Sequence, residues 1–112
     1  MVNGTFLAAM KPGAVYVNTA RGTLVDEAAL AAALKSGHVV GAGLDVFWEE
    51  PLAKSNPLLG APNLVMAPHS AAAMEQGLRR MGLSCAESII SFFKGQLDPD
   101  VVINKEVLRG NA

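Results

Sequence analysis

The chain has 112 residues, 51% hydrophobic, 17% charged and 5% aromatic, a profile that excludes a disordered segment and suits one modest core. Nine Lys and Arg against ten Asp and Glu give a net charge of -1, and no basic run is present, so neither nucleic acid nor membrane is an expected partner. The one cysteine, Cys85, cannot close an intrachain disulfide, no signal-peptide pattern opens the chain, and no apolar run approaches the ~20 residues of a membrane span, so a cytoplasmic protein is expected.

Asn3 is placed to cap a short helix over residues 4–10, stopped by Pro12 and Gly13. "AVYVNTA" then reads as a strand. Asp26 is an N-cap, with Val25 and Leu30 spaced as a hydrophobic staple, Glu27 in the first turn and Gly37 just past the end, which predicts a helix over residues 27–36. "VVGAGLDVF" is a near-continuous apolar run, the pattern of a strand buried on both faces. "EEPLAKSNPLLGAPN" is turn-rich, and "NLVMAPH" is a third short apolar run. Ser70 is placed to cap a long helix, residues 73–94, in which Met74, Leu78, Met81, Cys85, Ile89 and Phe92 recur at helical spacing. The order strand, helix, strand, loop, strand, helix predicts an α/β fold with a parallel sheet of about three strands and crossover helices, a partial Rossmann-like arrangement ending in a long C-terminal helix.

Each strand runs into an ionisable residue at its carboxyl end: Arg21 after the first, Glu49 and Glu50 after the second, His69 after the third. Ligands of open α/β sheets bind outside the carboxyl ends of the strands. Taken singly, Arg21 reads as a solvated turn residue, Glu50 as a loop charge before Pro51, and His69 as a satisfied histidine. Together they bring a cation, a carboxylate and an imidazole to one rim. A carboxylate holds a histidine in one tautomer and favours its protonated form, as general acid chemistry requires, and an arginine fork grips a carboxylate through two hydrogen bonds. No nucleophile motif accompanies them. A metal site is not expected, because His69 is the only nitrogen ligand near Asp45, Glu49 and Glu50, and no paired-histidine or cysteine spacing occurs. Gly41 and Gly43 do not form a dinucleotide loop, since they enter a strand rather than open a helix, and Val46 stands where a third glycine belongs.

Two stretches, "VNTARGTLVDEAALAAALKSGHVVGAGLDVFWEEPL" and "NPLLGAPNLVMAPHSAAA", resemble the C-terminal part of the NAD-binding domain of D-isomer-specific 2-hydroxyacid dehydrogenases. The resemblance implies hydride transfer between nicotinamide and a D-2-hydroxy or 2-oxo acid of the glyoxylate, hydroxypyruvate or phosphoglycerate type. It implies that Arg21 binds the substrate carboxylate and keto oxygen, that His69 exchanges the proton, and that Glu50, the residue before the proline, pairs with His69. For the cofactor, NAD or NADP, it implies Thr19, Ala20, Arg21, Asp45, His69 and Ala71, with Asp45 accepting from the nicotinamide carboxamide. The related formate dehydrogenases resemble this pattern with glutamine in the carboxylate position, so Glu50 points to a substrate that needs proton transfer.

The resemblance further implies that residues 1–95 are the C-terminal portion of a Rossmann-type domain and that the tail, 96–112, corresponds to a closing segment of the substrate domain. The glycine-rich phosphate loop and the ribose-reading acid have no counterpart here, so a fragment that binds NAD weakly or not at all, is inactive alone and associates with itself or with a complementary chain is expected. The alternative, of another class, is a non-catalytic module that self-associates or binds a partner through its open sheet edge. A small metal-dependent hydrolase ranks last.

Overall fold

The structure is a computed structural model that describes residues 1–109. These residues divide into two units, one ending at Ala71 and the other beginning at Ala72. In the first unit, the Asn3 side chain accepts the Phe6 N–H at 3.0 Å and opens helix α1, Gly4–Ala9. Strand β1, Ala14–Asn18, follows the turn at Gly13, whose φ of 84° is free of the Cβ penalty that other residues meet there. Asp26 caps helix α2, Glu27–Lys35, by accepting the Ala29 N–H at 2.9 Å, and Gly37 leaves it at a φ of 75°. Strands β2, Val39–Leu44, and β3, Leu64–Met66, complete the sheet, and the loop between them holds one 3-10 turn, Pro57–Gly60.

The sheet is parallel in the order β1-β2-β3, as the alternation of elements predicts. One cluster forms the core: Leu7 from α1, Val25, Leu30, Ala31 and Leu34 from α2 and its approach, Val39, Ala42 and Leu44 from β2, and Leu58. Val25 and Leu30 are 1% and 0% exposed, so the expected staple pair is fully inside. On the other face, Val17, Gly43 and Val65 stand in one row across the strands, and Val15, Val17 and Val65 are exposed. The strands also end in register, Asn18 beside Leu44 and Leu44 beside Met66. That alignment delivers the residues after each strand to a common rim.

In the second unit, helix α3 runs from Glu75 to Phe93, 19 residues and about 28 Å at 1.5 Å per residue. It closes with Gly95 at a φ of 67°, where the Gln96 N–H reaches the Ser91 carbonyl at 2.8 Å. The helix starts later than the sequence predicts, and Ser70 does not cap it: Met74 holds the N-cap position without a side-chain bond. The first helical residue stands five positions after Ser70 rather than directly after it, and the Ser70 backbone N–H bonds Asp45. No helix among the described residues is long and apolar enough to cross a membrane.

Candidate active site

The turn that carries Arg21 is built from Asn18. This buried side chain accepts the Ala20 N–H at 3.0 Å and donates to the Arg21 carbonyl at 2.9 Å, which closes the chain as it leaves the sheet. The Arg21 guanidinium donates to the Ala20 carbonyl at 2.7 Å and is otherwise exposed, with no acidic partner among the described residues. Gly22 then enters a 3-10 turn, Gly22–Leu24, and a Cβ on it would overlap the backbone carbonyl of Phe47. Only glycine permits that approach, and it draws the arginine turn against the loop that follows β2.

Asp45, the first residue after β2, is 5% exposed, and its two carboxylate oxygens accept the consecutive N–H groups of Ser70 and Ala71, each at 2.8 Å. Those bonds, the Ser70 bond foremost, hold its carboxyl below the ordinary aspartate range. They also stabilise an unusual backbone, because His69 immediately before them has a φ of 53°, in the left-handed region that costs any residue with a Cβ. Asp45 thereby fixes the segment from which the imidazole projects.

His69 Nδ1 meets Glu50 Oε2 at 2.7 Å, and the side chains of the two are 50% and 36% exposed. The second oxygen, Oε1, accepts the Phe47 N–H at 2.9 Å, so the carboxylate is held from both sides. The His69 hydrogen bond first, and the Phe47 N–H second, keep the Glu50 carboxyl below the usual glutamate range. Since an ionised carboxylate only accepts, Nδ1 carries the proton in this pair, and Nε2 is the ring nitrogen left for a ligand.

Arg21, Glu50 and His69 line one cavity of about 190 Å³, together with Gly22, Thr23, Val46, Phe47 and Trp48. Thr19, Asp45 and Ala71 line a second recess of about 270 Å³ with Val17, Gly43, Leu44, Val65, Ala67 and Ser70. Of the residues expected at a cofactor, Arg21 and His69 belong to the first cavity, and Ala20 lines neither. The residues that sequence reasoning missed are the supports: Asn18, Gly22, and the Phe47 N–H. Asn18 carried a signal, a polar residue closing the apolar run "VYVN", whereas a backbone N–H carries none.

Residues 1–71 match the family model described as the NAD-binding domain of D-isomer-specific 2-hydroxyacid dehydrogenases. A glyoxylate reductase of Korarchaeum cryptofilum is 45% identical over 109 residues, which cover 97% of this chain and 32% of that protein. Among solved structures, the TT0316 protein of Thermus thermophilus superposes with a TM-score of 0.77 at 44% identity, over 87% of this chain and 31% of that one. A D-isomer-specific 2-hydroxyacid dehydrogenase of Lactobacillus delbrueckii, in its NAD-complexed form, gives 0.75 at 34% identity, over 93% and 35%. The chain thus spans about a third of the length of the relatives it matches. It belongs to the family of D-isomer-specific 2-hydroxyacid dehydrogenases, its first 71 residues matching that family's NAD-binding domain.

Proposed function

We propose that this chain carries the substrate-facing rim of an NAD(P)-dependent oxidoreductase that interconverts a 2-oxo acid and a D-2-hydroxy acid. The observation that carries the proposal is the 2.7 Å pairing of His69 Nδ1 with Glu50 Oε2 on the wall of a cavity that Arg21 shares. Glu50 holds the imidazole with Nδ1 protonated, and His69 delivers a proton from Nε2 to the C2 oxygen of the oxo acid, or takes it back in oxidation. Arg21, free of any described acidic partner, grips the substrate carboxylate with its fork. Small acids of the glyoxylate, hydroxypyruvate or phosphoglycerate type fit this division of labour.

The neighbouring recess suits a flat nicotinamide ring. Gly43 adds no side chain between Val17 and Val65, Ala71 is small, and Asp45 retains lone pairs beyond those that Ser70 and Ala71 use. Thr19, Asp45 and Ala71 line it, and the Ala20 backbone lies beside Thr19. A bound nicotinamide supplies the hydride that the proton from His69 complements.

The test is a titration of the isotope-labelled chain with glyoxylate, followed through the side-chain signals of Arg21 and His69. Saturable shifts that vanish in Arg21→Gln are the expected result. Absence of shifts, or identical shifts in the variant, would sink the reading.

A second reading, association of the chain with itself, is favoured by one observation. Val15, Val17 and Val65 are 63%, 65% and 73% exposed on a sheet whose outer strands, β1 and β3, pair only with β2 among the described residues. Light scattering over a range of chain concentrations measures it.

A further inference from the structure

We infer that Glu27, the first residue of α2, is a positioning residue that fixes the loop presenting Glu50 to His69. The inference rests on the reading of Glu50 and His69 as the proton-transfer pair, but its test needs no turnover.

An acidic residue in the first turn of a helix has a sufficient local reason, the helix dipole. Glu27 does more, because its half-buried carboxylate reaches across the fold. Oε1 accepts the Trp48 backbone N–H at 2.8 Å, and Oε2 accepts the Asn56 side-chain amide at 2.6 Å. One carboxylate therefore ties together both ends of the segment from Trp48 to Asn56, and Glu50 lies inside that segment.

Both attachment points are themselves anchored. Trp48 is 61% exposed as a residue, yet its indole Nε1–H donates to the Val25 carbonyl at 2.7 Å, so hydrogen bonding helps to hold it. The Asn56 side-chain amide oxygen, Oδ1, accepts the N–H of Leu58, a core residue, at 2.9 Å. That bond leaves only the Asn56 NH2 to face Glu27, which requires an acceptor at this position. The Phe47 N–H that holds Glu50 Oε1 belongs to the residue just before Trp48. Fixing Trp48 thus fixes the peptide next to the one that grips the carboxylate.

The test compares the full chain with Glu27→Ala and Glu27→Gln. Alanine releases both arms. Glutamine keeps an acceptor for the Trp48 N–H but sets its own NH2 against that of Asn56. The readouts are the titration of the Glu50 carboxyl by carbon NMR, the ring-nitrogen shifts of His69, and the Tm of each variant. In the wild type the bonds to His69 and the Phe47 N–H hold the Glu50 carboxyl below the ordinary glutamate range, and the titration should show this. The expected result is an upward shift toward that range in Glu27→Ala, a smaller one in Glu27→Gln, and a His69 ring no longer held in one tautomer. A lower Tm with an unchanged Glu50 titration in either folded variant would overturn the inference and leave the reading of the pair intact. An ordinary glutamate titration in the wild type would overturn both. Should the alanine variant not fold, the near-isosteric glutamine variant decides.

Discussion

Gly22 lies so close under the backbone of Phe47 that a methyl group would collide with the Phe47 carbonyl. The contact joins the Arg21 turn to the loop after β2, and it has no flexible side chain that could give way. Gly22→Ala is expected to destabilise the chain by about 1–3 kcal/mol, the usual cost of overpacking, measurable as a lower denaturation midpoint with an unchanged m-value. Because the strain falls between Arg21 and the Glu50 loop, the same variant should weaken the glyoxylate binding proposed for this site.

Asp45→Asn tests the clamp on the left-handed turn at His69. The amide oxygen can still accept one N–H, but the amide nitrogen then faces the other, donor against donor. Hydrogen exchange of the Ser70 and Ala71 amides should accelerate by about tenfold or more while α2 amides stay protected. Equal acceleration throughout would mean a general loss of stability rather than a local clamp.

Acid should weaken the first unit through Asp45 and Glu50. Both carboxyls lie below their ordinary values in the folded chain, so the unfolded chain binds protons first as the pH falls. Their contribution is fully present above the unfolded values of about 3.9 and 4.3, and is lost as the pH drops through the lower folded values. Urea denaturation at a series of acidic pH values should show this fall. Glu50→Gln and Asp45→Asn should each flatten it.

Any reduction of a 2-oxo acid supported by these residues should depend on His69 as proton donor. His69→Asn removes the titratable ring, and turnover should drop by about 10²–10⁴-fold, the usual contribution of general acid catalysis. Glu50→Gln should cost less, since it frees the tautomer without removing the ring. The comparison is made at saturating substrate, so that the loss is read in kcat.

Association through the exposed sheet face should respond to charge. Val17→Lys places an ammonium group in the row formed by Val17, Gly43 and Val65, and should shift the scattering mass toward the monomer. A lysine on the exposed side of α2 should leave the mass unchanged.

Much of this architecture was legible in the residues themselves. The Asp26 cap, the Val25 and Leu30 staple, the glycine stops and the apolar strand runs act within a few residues, so local spacing determined α1, α2 and the three strands. The same spacing put Arg21, Glu50 and His69 just past strand ends, which a parallel sheet carries to one rim. What the tertiary structure alone decided are the hydrogen bonds between residues far apart in the chain. Ser70 has the residue type of a helix cap, yet α3 begins only at Glu75, and the Ser70 N–H serves Asp45, 25 positions away. Glu27 looked like an ordinary first-turn acid, yet it holds Trp48 and Asn56. Such partners depend on strand register and loop path, which bring together groups that no window of neighbouring residues contains.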